Sequence, residues 1–227
     1  PEEVVSLARR EGCPAVAFTY SEPLVVAEWV MDVARACREA GLRTVAVTSG
    51  YVTDHARADF FGLMDATNVD LKGFTEDFYL RFCGAKLQPV LETLQYLATT
   101  GATWLEVTTL LIPGVNDAPK DLEAQFAWHA RTLGVGTPLH LSAFHPAYRM
   151  QDSPRTPPAL LRETRRRARE AGLQHVYVGN CRDPEGETTW CAACGEALIV
   201  REGYHLRGGG LSDGHCGRCG EALPGRF

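Results

Sequence analysis

The sequence has no run of about 18 or more apolar residues, so no segment reads as a membrane-spanning helix. Its start at Pro1 has none of the basic, apolar and small-residue succession of a secretory signal. These two absences lead us to expect a cytoplasmic protein with no membrane partner. Positive charge is in deficit, with 23 Lys and Arg against 28 Asp and Glu for a formal net charge of −5. That balance argues against a surface that wraps nucleic acid. The densest basic run, Arg165-Arg166-Arg167-Ala168-Arg169, lies in a helical pattern and is expected to form a solvated helix face. Internal repeats and low-complexity tracts are missing too. What remains is ample for one domain with a small appendage: 227 residues, 45% of them hydrophobic.

The eight cysteines are unevenly placed. Four form two tight pairs near the end, and the others are scattered, a pattern that reads as metal binding in a reducing compartment rather than as disulfides. Cys191-Ala192-Ala193-Cys194-Gly195 and Cys216-Gly217-Arg218-Cys219-Gly220 are two copies of one knuckle, with 21 residues between Cys194 and Cys216, each followed by Glu-Ala-Leu. Two thiolates at this spacing reach one ion from a tight turn, and two such turns complete a tetrahedron. Zinc is favoured because a closed four-thiolate site is structural, and so small a ribbon seldom folds without metal. Rubredoxin-type iron takes the same ligands, and an auxiliary iron–sulfur cluster with Cys181 as a spare thiol is the other alternative.

Up to about residue 180, short β-branched runs alternate with longer helical stretches, as in βα units around a parallel sheet. Six strands are expected, at 15–19, 44–48, 67–71, 103–110, 139–144 and 175–178, each suited to burial on both faces. Helices are expected at 24–40, ending at Gly41, and at 157–171, ending at Gly172, with a weaker one at 4–10. A turn to Gly, Pro, Asp and Glu over 180–189 reads as a linker. The division is therefore 1–180 for a sheet domain and 181–227 for a linker and a four-cysteine tail. Parallel sheets of this kind either close into barrels or stay open, with ligands at the C-terminal ends of the strands.

Polar residues gather at those ends. Tyr20-Ser21-Glu22-Pro23 follows the first strand and Thr48-Ser49-Gly50 the second; Asp70-Leu71-Lys72, Pro113-Gly114-Val115-Asn116-Asp117 and His145-Pro146 follow later ones. Ser21 can cap the next helix, with Glu22-Pro23 as its first turn. Asp70 and Lys72, two apart on a strand, project to one side while Leu71 points to the other. Such a pair is either a plain salt bridge or one end of a zwitterion site, with a carboxylate on Lys72 and an ammonium on Glu22 or Asp70.

In order and spacing, Phe18-Thr19-Tyr20-Ser21-Glu22-Pro23, Val47-Thr48-Ser49-Gly50-Tyr51, Asn68-Val69-Asp70-Leu71-Lys72-Gly73-Phe74, Leu111-Ile112-Pro113-Gly114-Val115-Asn116-Asp117, Phe144-His145-Pro146 and Val176-Tyr177-Val178-Gly179-Asn180 form a specific set. They resemble a radical S-adenosylmethionine (SAM) enzyme of the type that includes the pyruvate formate-lyase-activating enzymes. The likeness is closer still to the radical enzyme of the AmmeMemoRadiSam system, whose tail the ribbon after Glu185-Gly186-Glu187-Thr188 also resembles. The resemblance implies a partial (β/α) barrel that binds SAM at the strand ends, beside a [4Fe–4S] cluster that reduces it to a 5′-deoxyadenosyl radical. It implies roles for Ser21 and Glu22 at the methionine amine, Asp70 and Lys72 near its carboxylate, Thr48 near the ribose, His145 near the nucleoside, and Val178 and Asn180 near adenine. It further implies an electron donor such as flavodoxin or ferredoxin and a substrate, small molecule or protein, that the sequence does not name; glycyl-radical activation is one member of that class.

Two departures stand out. The activating enzymes carry Asp-Thr-Asn-Gly where this chain has Val47-Thr48-Ser49-Gly50, which removes an acidic contact to the ribose. The Cys-x3-Cys-x2-Cys loop that holds the cluster occurs nowhere in the 227 residues, and Cys13, Cys37 and Cys83 have no spacing that replaces it. We therefore expect an N-terminally shortened chain whose barrel lacks its first strand, inactive alone in SAM cleavage. The competing expectation is a non-catalytic module that kept barrel and ribbon and binds SAM or a protein partner.

Overall fold

The computed structural model describes residues 1–203 and 205–226. In chain order the helices are α1 (Glu2–Arg10), α2 (Ala27–Glu39), α3 (Asp54–Phe61), the single turn α4 (Glu76–Phe78), α5 (Gln88–Thr100), α6 (Pro119–Thr132), α7 (Pro158–Glu170) and the short α8 (Pro184–Glu187). The main strands are β1 (Ala15–Phe18), β2 (Arg43–Thr48), β3 (Ala66–Asp70), β4 (Trp104–Leu111), β5 (Leu139–Ala143) and β6 (Val176–Gly179), ordered β1-β2-β3-β4-β5-β6 in one sheet. Pairing is parallel between β1 and β2, β2 and β3, β4 and β5, and β5 and β6. No helix among the described residues is long and apolar enough to cross a membrane. The α/β sheet is the one expected, with each strand end displaced by no more than one residue.

Two compact units divide the chain, one of Pro1–Leu71 with Lys86–Glu106 and one of Lys72–Ala85 with Val107–Phe227. In the first, Val30, Val33, Ala34 and Cys37 of α2, Phe60 and Phe61 of α3, and Val90, Leu94 and Leu97 of α5 are buried at helical spacing. Buried threonines spend their hydroxyls on backbone carbonyls, Thr44 on Leu63 at 2.6 Å and Thr67 on Ala46 at 3.0 Å. In the second unit, α6 buries Leu122 and Phe126, α7 buries Leu161 and Ala168, and Gln125 donates to Thr109 at 2.8 Å. Each such bond removes the cost of a polar group taken out of water, about 1–3 kcal/mol if left unmade.

The strands depart from the expectation of burial on both faces. In the first unit Thr44, Ala46, Thr48, Thr67 and Val69 are buried, while Val45, Val47, Ala66, Asn68 and Asp70 alternate with them half-exposed. In the second, Val107, Thr109, Leu111, Leu139, Leu141, Ala143, Val176 and Val178 are buried, and Thr108, Leu110, His140, Ser142, Tyr177 and Gly179 are half-exposed. One face of the strands is thus sealed and the other is half-open, because successive side chains point to opposite faces.

Three local readings are corrected. The helix expected at 24–40 begins as a 3₁₀ turn, Pro23–Val26, and its N-cap is Glu22, not Ser21; the Glu22 carboxylate accepts from Leu24 N at 3.2 Å. The Arg165–Arg169 run is only partly a solvated face. Arg165 falls on the buried stripe of α7 with Leu161, Thr164 and Ala168, and its guanidinium is satisfied by Val176 O at 3.0 Å and Glu185 at 2.9 Å. Arg166 and Arg167 do face solvent, where Glu163 pairs with both at 2.6 and 2.9 Å. The 180–189 stretch, linker-like in composition, carries α8, and there Gly186 lies so close to Val178 that a Cβ would stand 2.9 Å from it.

His129 of α6 is fully buried, with Nε2 on Thr137 O at 3.0 Å and Nδ1 unpaired, and burial pushes it down to about 4 from its ordinary 6.5. His175 is shifted down for the same reason. Above pH 6.5 neither folded nor unfolded chain protonates His129, so it has no pH effect there. As pH falls from 6.5 to 4 only the unfolded chain takes up the proton, and stability should drop by about 3 kcal/mol from this residue alone. Urea unfolding at pH 7 and pH 4 should show that drop, and His129→Leu should lose that part of it; an equal drop in both proteins would show that His129 does not titrate in this way.

Candidate functional site

In the first unit the chain leaves β1 through Tyr20, which adopts φ +68° and is fully exposed. Glu22 follows, half-buried, and its carboxylate is held by the end of β2. Oε1 accepts from Leu24 N and from the Thr48 hydroxyl, and Oε2 accepts from Ser49 N at 2.7 Å. Gly50 N donates back to Thr48 Oγ1 at 3.1 Å. Gly50 itself has φ +68°, and a Cβ there would stand 2.8 Å from Val69 Cγ1, so the turn after β2 admits glycine alone. A carboxylate offers about four acceptor positions. Three are occupied among the described residues, and the fourth, on Oε2, remains for a donor. Asp70 lies on the half-open face of β3, where its Oδ1 accepts from Asn68 Nδ2 at 3.1 Å.

In the second unit His145 is exposed just past β5, and its Nε2 donates to Asn180 O at 3.3 Å. Asn180 sits just past β6 at φ +58° and donates from Nδ2 to Ala143 O at 3.4 Å, so these two strand ends are tied together. Lys72 is half-buried, with its backbone gripped by buried side chains. Val178 turns its side chain to the sealed face, beside Gly186. Ser21 is exposed.

The sequence reading gave no role to His140, Tyr177, Arg201 or Asn68. His140 stacks on Tyr177 with centroids 5.1 Å apart, and the Tyr177 hydroxyl pairs with Thr189 Oγ1 at 3.0 Å. Arg201 lies 5.9 Å over the Tyr177 ring and donates to Thr189 at 2.9 Å, which anchors the tail on β6. The signal for Asn68 and His140 was polar residues at period two, Asn68-Val69-Asp70 and His140-Leu141-Ser142, diluted by apolar neighbours on the same face.

The tail brings Cys191, Cys194, Cys216 and Cys219 together, their sulfurs all within 4.8 Å of one another. Cys191 and Cys219 are 3.6 Å apart, as are Cys194 and Cys216, close to the edge of about 3.8 Å that four Zn–S bonds of about 2.3 Å impose on a tetrahedron. The knuckles match bond for bond: Cys191 N donates to Glu196 O and Cys216 N to Glu221 O, both at 2.8 Å, and Gly195 and Gly220 close the turns with φ +73° and +79°. Backbone N–H groups, chiefly that of Cys194, pull the Cys191 thiol down to about 7. The donor set fits a structural metal ion. No other group of three or more metal-ligating side chains converges among the described residues; Cys13 is exposed and Cys37 is buried on α2. Outside the four-cysteine tail, the described residues bring together no second set of cysteines.

A model of the Radical SAM superfamily matches residues 1–125. An uncharacterized protein of Methanocaldococcus jannaschii is 40% identical over 225 residues, 98% of this chain and 66% of that protein. The pyruvate formate-lyase 1-activating enzyme of Escherichia coli is 26% identical over 133 residues, 57% of this chain and 53% of the enzyme. The chain thus spans only part of the curated relatives it matches. Among solved structures, a domain of pyruvate-formate lyase-activating enzyme from Bacteroides vulgatus superposes with TM-score 0.64 at 18% identity, covering 73% of this chain and 99% of that one. Streptococcus suis SuiB bound to S-adenosylmethionine gives TM-score 0.63 at 10% identity, covering 80% and 43%. At these identities the structures attest the fold.

About one metal ion per chain is expected after purification without chelators, measured by elemental analysis. Since the binding energy of such a site, about 10–16 kcal/mol in small zinc domains, is also folding energy, Cys191→Ser should lose the ion and expose the tail to protease. Less than half an equivalent of any metal in the unaltered chain would contradict the site.

Proposed function

We infer that this chain, which belongs to the radical SAM superfamily, is the SAM-binding part of an enzyme that cleaves SAM reductively to a 5′-deoxyadenosyl radical. One observation carries the reading: Glu22, at the end of β1, is fixed by Thr48, Ser49 and Leu24 with one acceptor position left on Oε2. A fixed carboxylate with one remaining lone pair is suited to a primary ammonium, and the methionine moiety of SAM supplies one. Its rigidity lowers the ordering cost of binding, since the carboxylate does not have to be immobilised by the ligand.

On this reading Asp70 and Lys72 would meet the methionine carboxylate end, the strand end at Thr48 the ribose, and His145 and the Val178–Asn180 main chain the nucleoside. Reduction of the sulfonium belongs to a low-potential iron–sulfur cluster, and these residues contain no ligands for one. What this chain's residues account for is binding and orientation. A second reading is a SAM-binding module without catalysis. The two separate on 5′-deoxyadenosine formation after anaerobic reconstitution with iron and sulfide, carried out on the chain together with any natural flanking sequence. The enzyme predicts cleavage and the module predicts none. The four-cysteine tail would hold zinc, or iron on the same four ligands, on either reading.

Calorimetric titration of the chain with SAM should show binding, and Glu22→Gln should weaken it by about tenfold or more, because the loss of a charge-assisted bond costs about 1.5–3 kcal/mol. Unchanged affinity in a Glu22→Gln protein that keeps its melting temperature within a few degrees would remove the central support.

A further inference from the structure

Lys72 has a long side chain with four rotatable bonds, and such a side chain recognises a small carboxylate well only if its root is fixed. The structure fixes that root from two sides. Lys72 N donates to the Tyr79 hydroxyl at 3.2 Å, and Lys72 O accepts from Asn116 Nδ2 at 2.7 Å. Both clamping side chains are buried, Tyr79 at 3% and Asn116 at 7% exposure. Neither belongs to the segment that carries Lys72.

Each clamp is built locally for the purpose. Tyr79 opens a π-helical stretch, Tyr79–Cys83, that follows α4 and closes with Ala85 N on Tyr79 O at 3.2 Å; π segments are uncommon and concentrate at functional sites. The Thr75 hydroxyl caps α4 by accepting from Phe78 N at 3.2 Å, and Gly73 leaves room for Phe78, whose ring a Cβ at that position would meet at 2.6 Å. Asn116 uses every atom of its amide. Oδ1 accepts from Ile112 N at 2.7 Å, and Nδ2 donates to Leu110 O at 2.8 Å as well as to Lys72 O. Aspartate is isosteric but has no hydrogens to donate, so it would set an oxygen against two carbonyls. The geometry thus specifies asparagine at 116, in the Pro113–Asp117 turn that ends β4.

We propose that Tyr79 and Asn116 are positioning residues for Lys72, holding its backbone so that its ammonium is presented to the carboxylate of the bound amino-acid moiety. The proposal rests on the SAM reading of Lys72 and adds two residues that act through it. Neither touches the ligand.

The test is a double-mutant cycle on SAM affinity with Lys72→Met, Tyr79→Phe and the pair, alongside amide hydrogen exchange at Lys72. Lys72→Met should weaken binding by roughly tenfold or more. Tyr79→Phe keeps the ring and removes only the hydroxyl; it should accelerate exchange at Lys72 N and weaken binding about three- to tenfold, and that effect should fall below about twofold once Lys72 is methionine. Asn116→Asp should behave alike if it folds, and Tyr79→Phe suffices if it does not. Additive losses in the cycle, or unchanged Lys72 exchange in Tyr79→Phe, would overturn the positioning role while leaving the SAM reading intact. Unchanged affinity in Lys72→Met would instead overturn the reading of Lys72 itself, and the positioning role with it.

Discussion

Period-two alternation along strands sealed on one face is the constraint from which the rest of this molecule follows. Once Val69, Val107, Leu141 and Val178 are committed to the sealed face, their neighbours are forced to the other. That other face is half-exposed and holds Asn68 and Asp70 in one unit and Thr108, His140, Ser142 and Tyr177 in the other. A sheet that served only as a core would not spend so many strand positions on polar side chains. The polar face and its strand ends are where chemistry is affordable.

Polar side chains that grip the backbone at the strand ends do the rest of the positioning. Glu22 is held by the turn after β2, Asn116 holds the end of β4 and the root of Lys72, and Thr156, buried, donates to Leu111 O at 2.6 Å while receiving Phe144 N at 2.8 Å. Apart from the grip of Asn116 on the end of β4, these bonds join residues 12 to 45 positions apart, and each places a loop on a scaffold of strands. Loops held in this way combine the accessibility of surface segments with the precision of the elements beneath them. The tail follows the same principle, anchored by Arg201 and Thr189 on Tyr177 while Cys191, Cys216 and Leu198 form its own small core with Cys194 packed against them.

The strands were legible because β-branched runs alternate with helical stretches, a local signal. The cysteine knuckles were legible for the same reason: ligand spacing and the following glycine are contained in five residues. The open face was not, since Val45, Val47 and Leu110 share it with the polar residues and make the strands look apolar throughout. Arg165 was hidden by composition, its charge outweighing a helical period that put it beside Leu161 and Ala168. Asp70, Lys72, Glu22 and His145 were readable as residues that end strands. What holds them was not, because the bond from Asn116 to Lys72 crosses 44 positions and that from Ser49 to Glu22 crosses 27. Long-range side chain to backbone bonds leave no periodic trace.

The account stands or falls on where SAM binds. Nuclear magnetic resonance of the isotope-labelled chain, titrated with SAM, reports this residue by residue. The account predicts shifts concentrated at the strand ends and the half-open face, at Glu22, Ser49, Asn68, Asp70, Lys72 and His145, with Cys191, Cys194, Cys216 and Cys219 unmoved. Shifts confined to the tail or to the outer surfaces of α6 and α7, or no shifts at millimolar SAM, would contradict it.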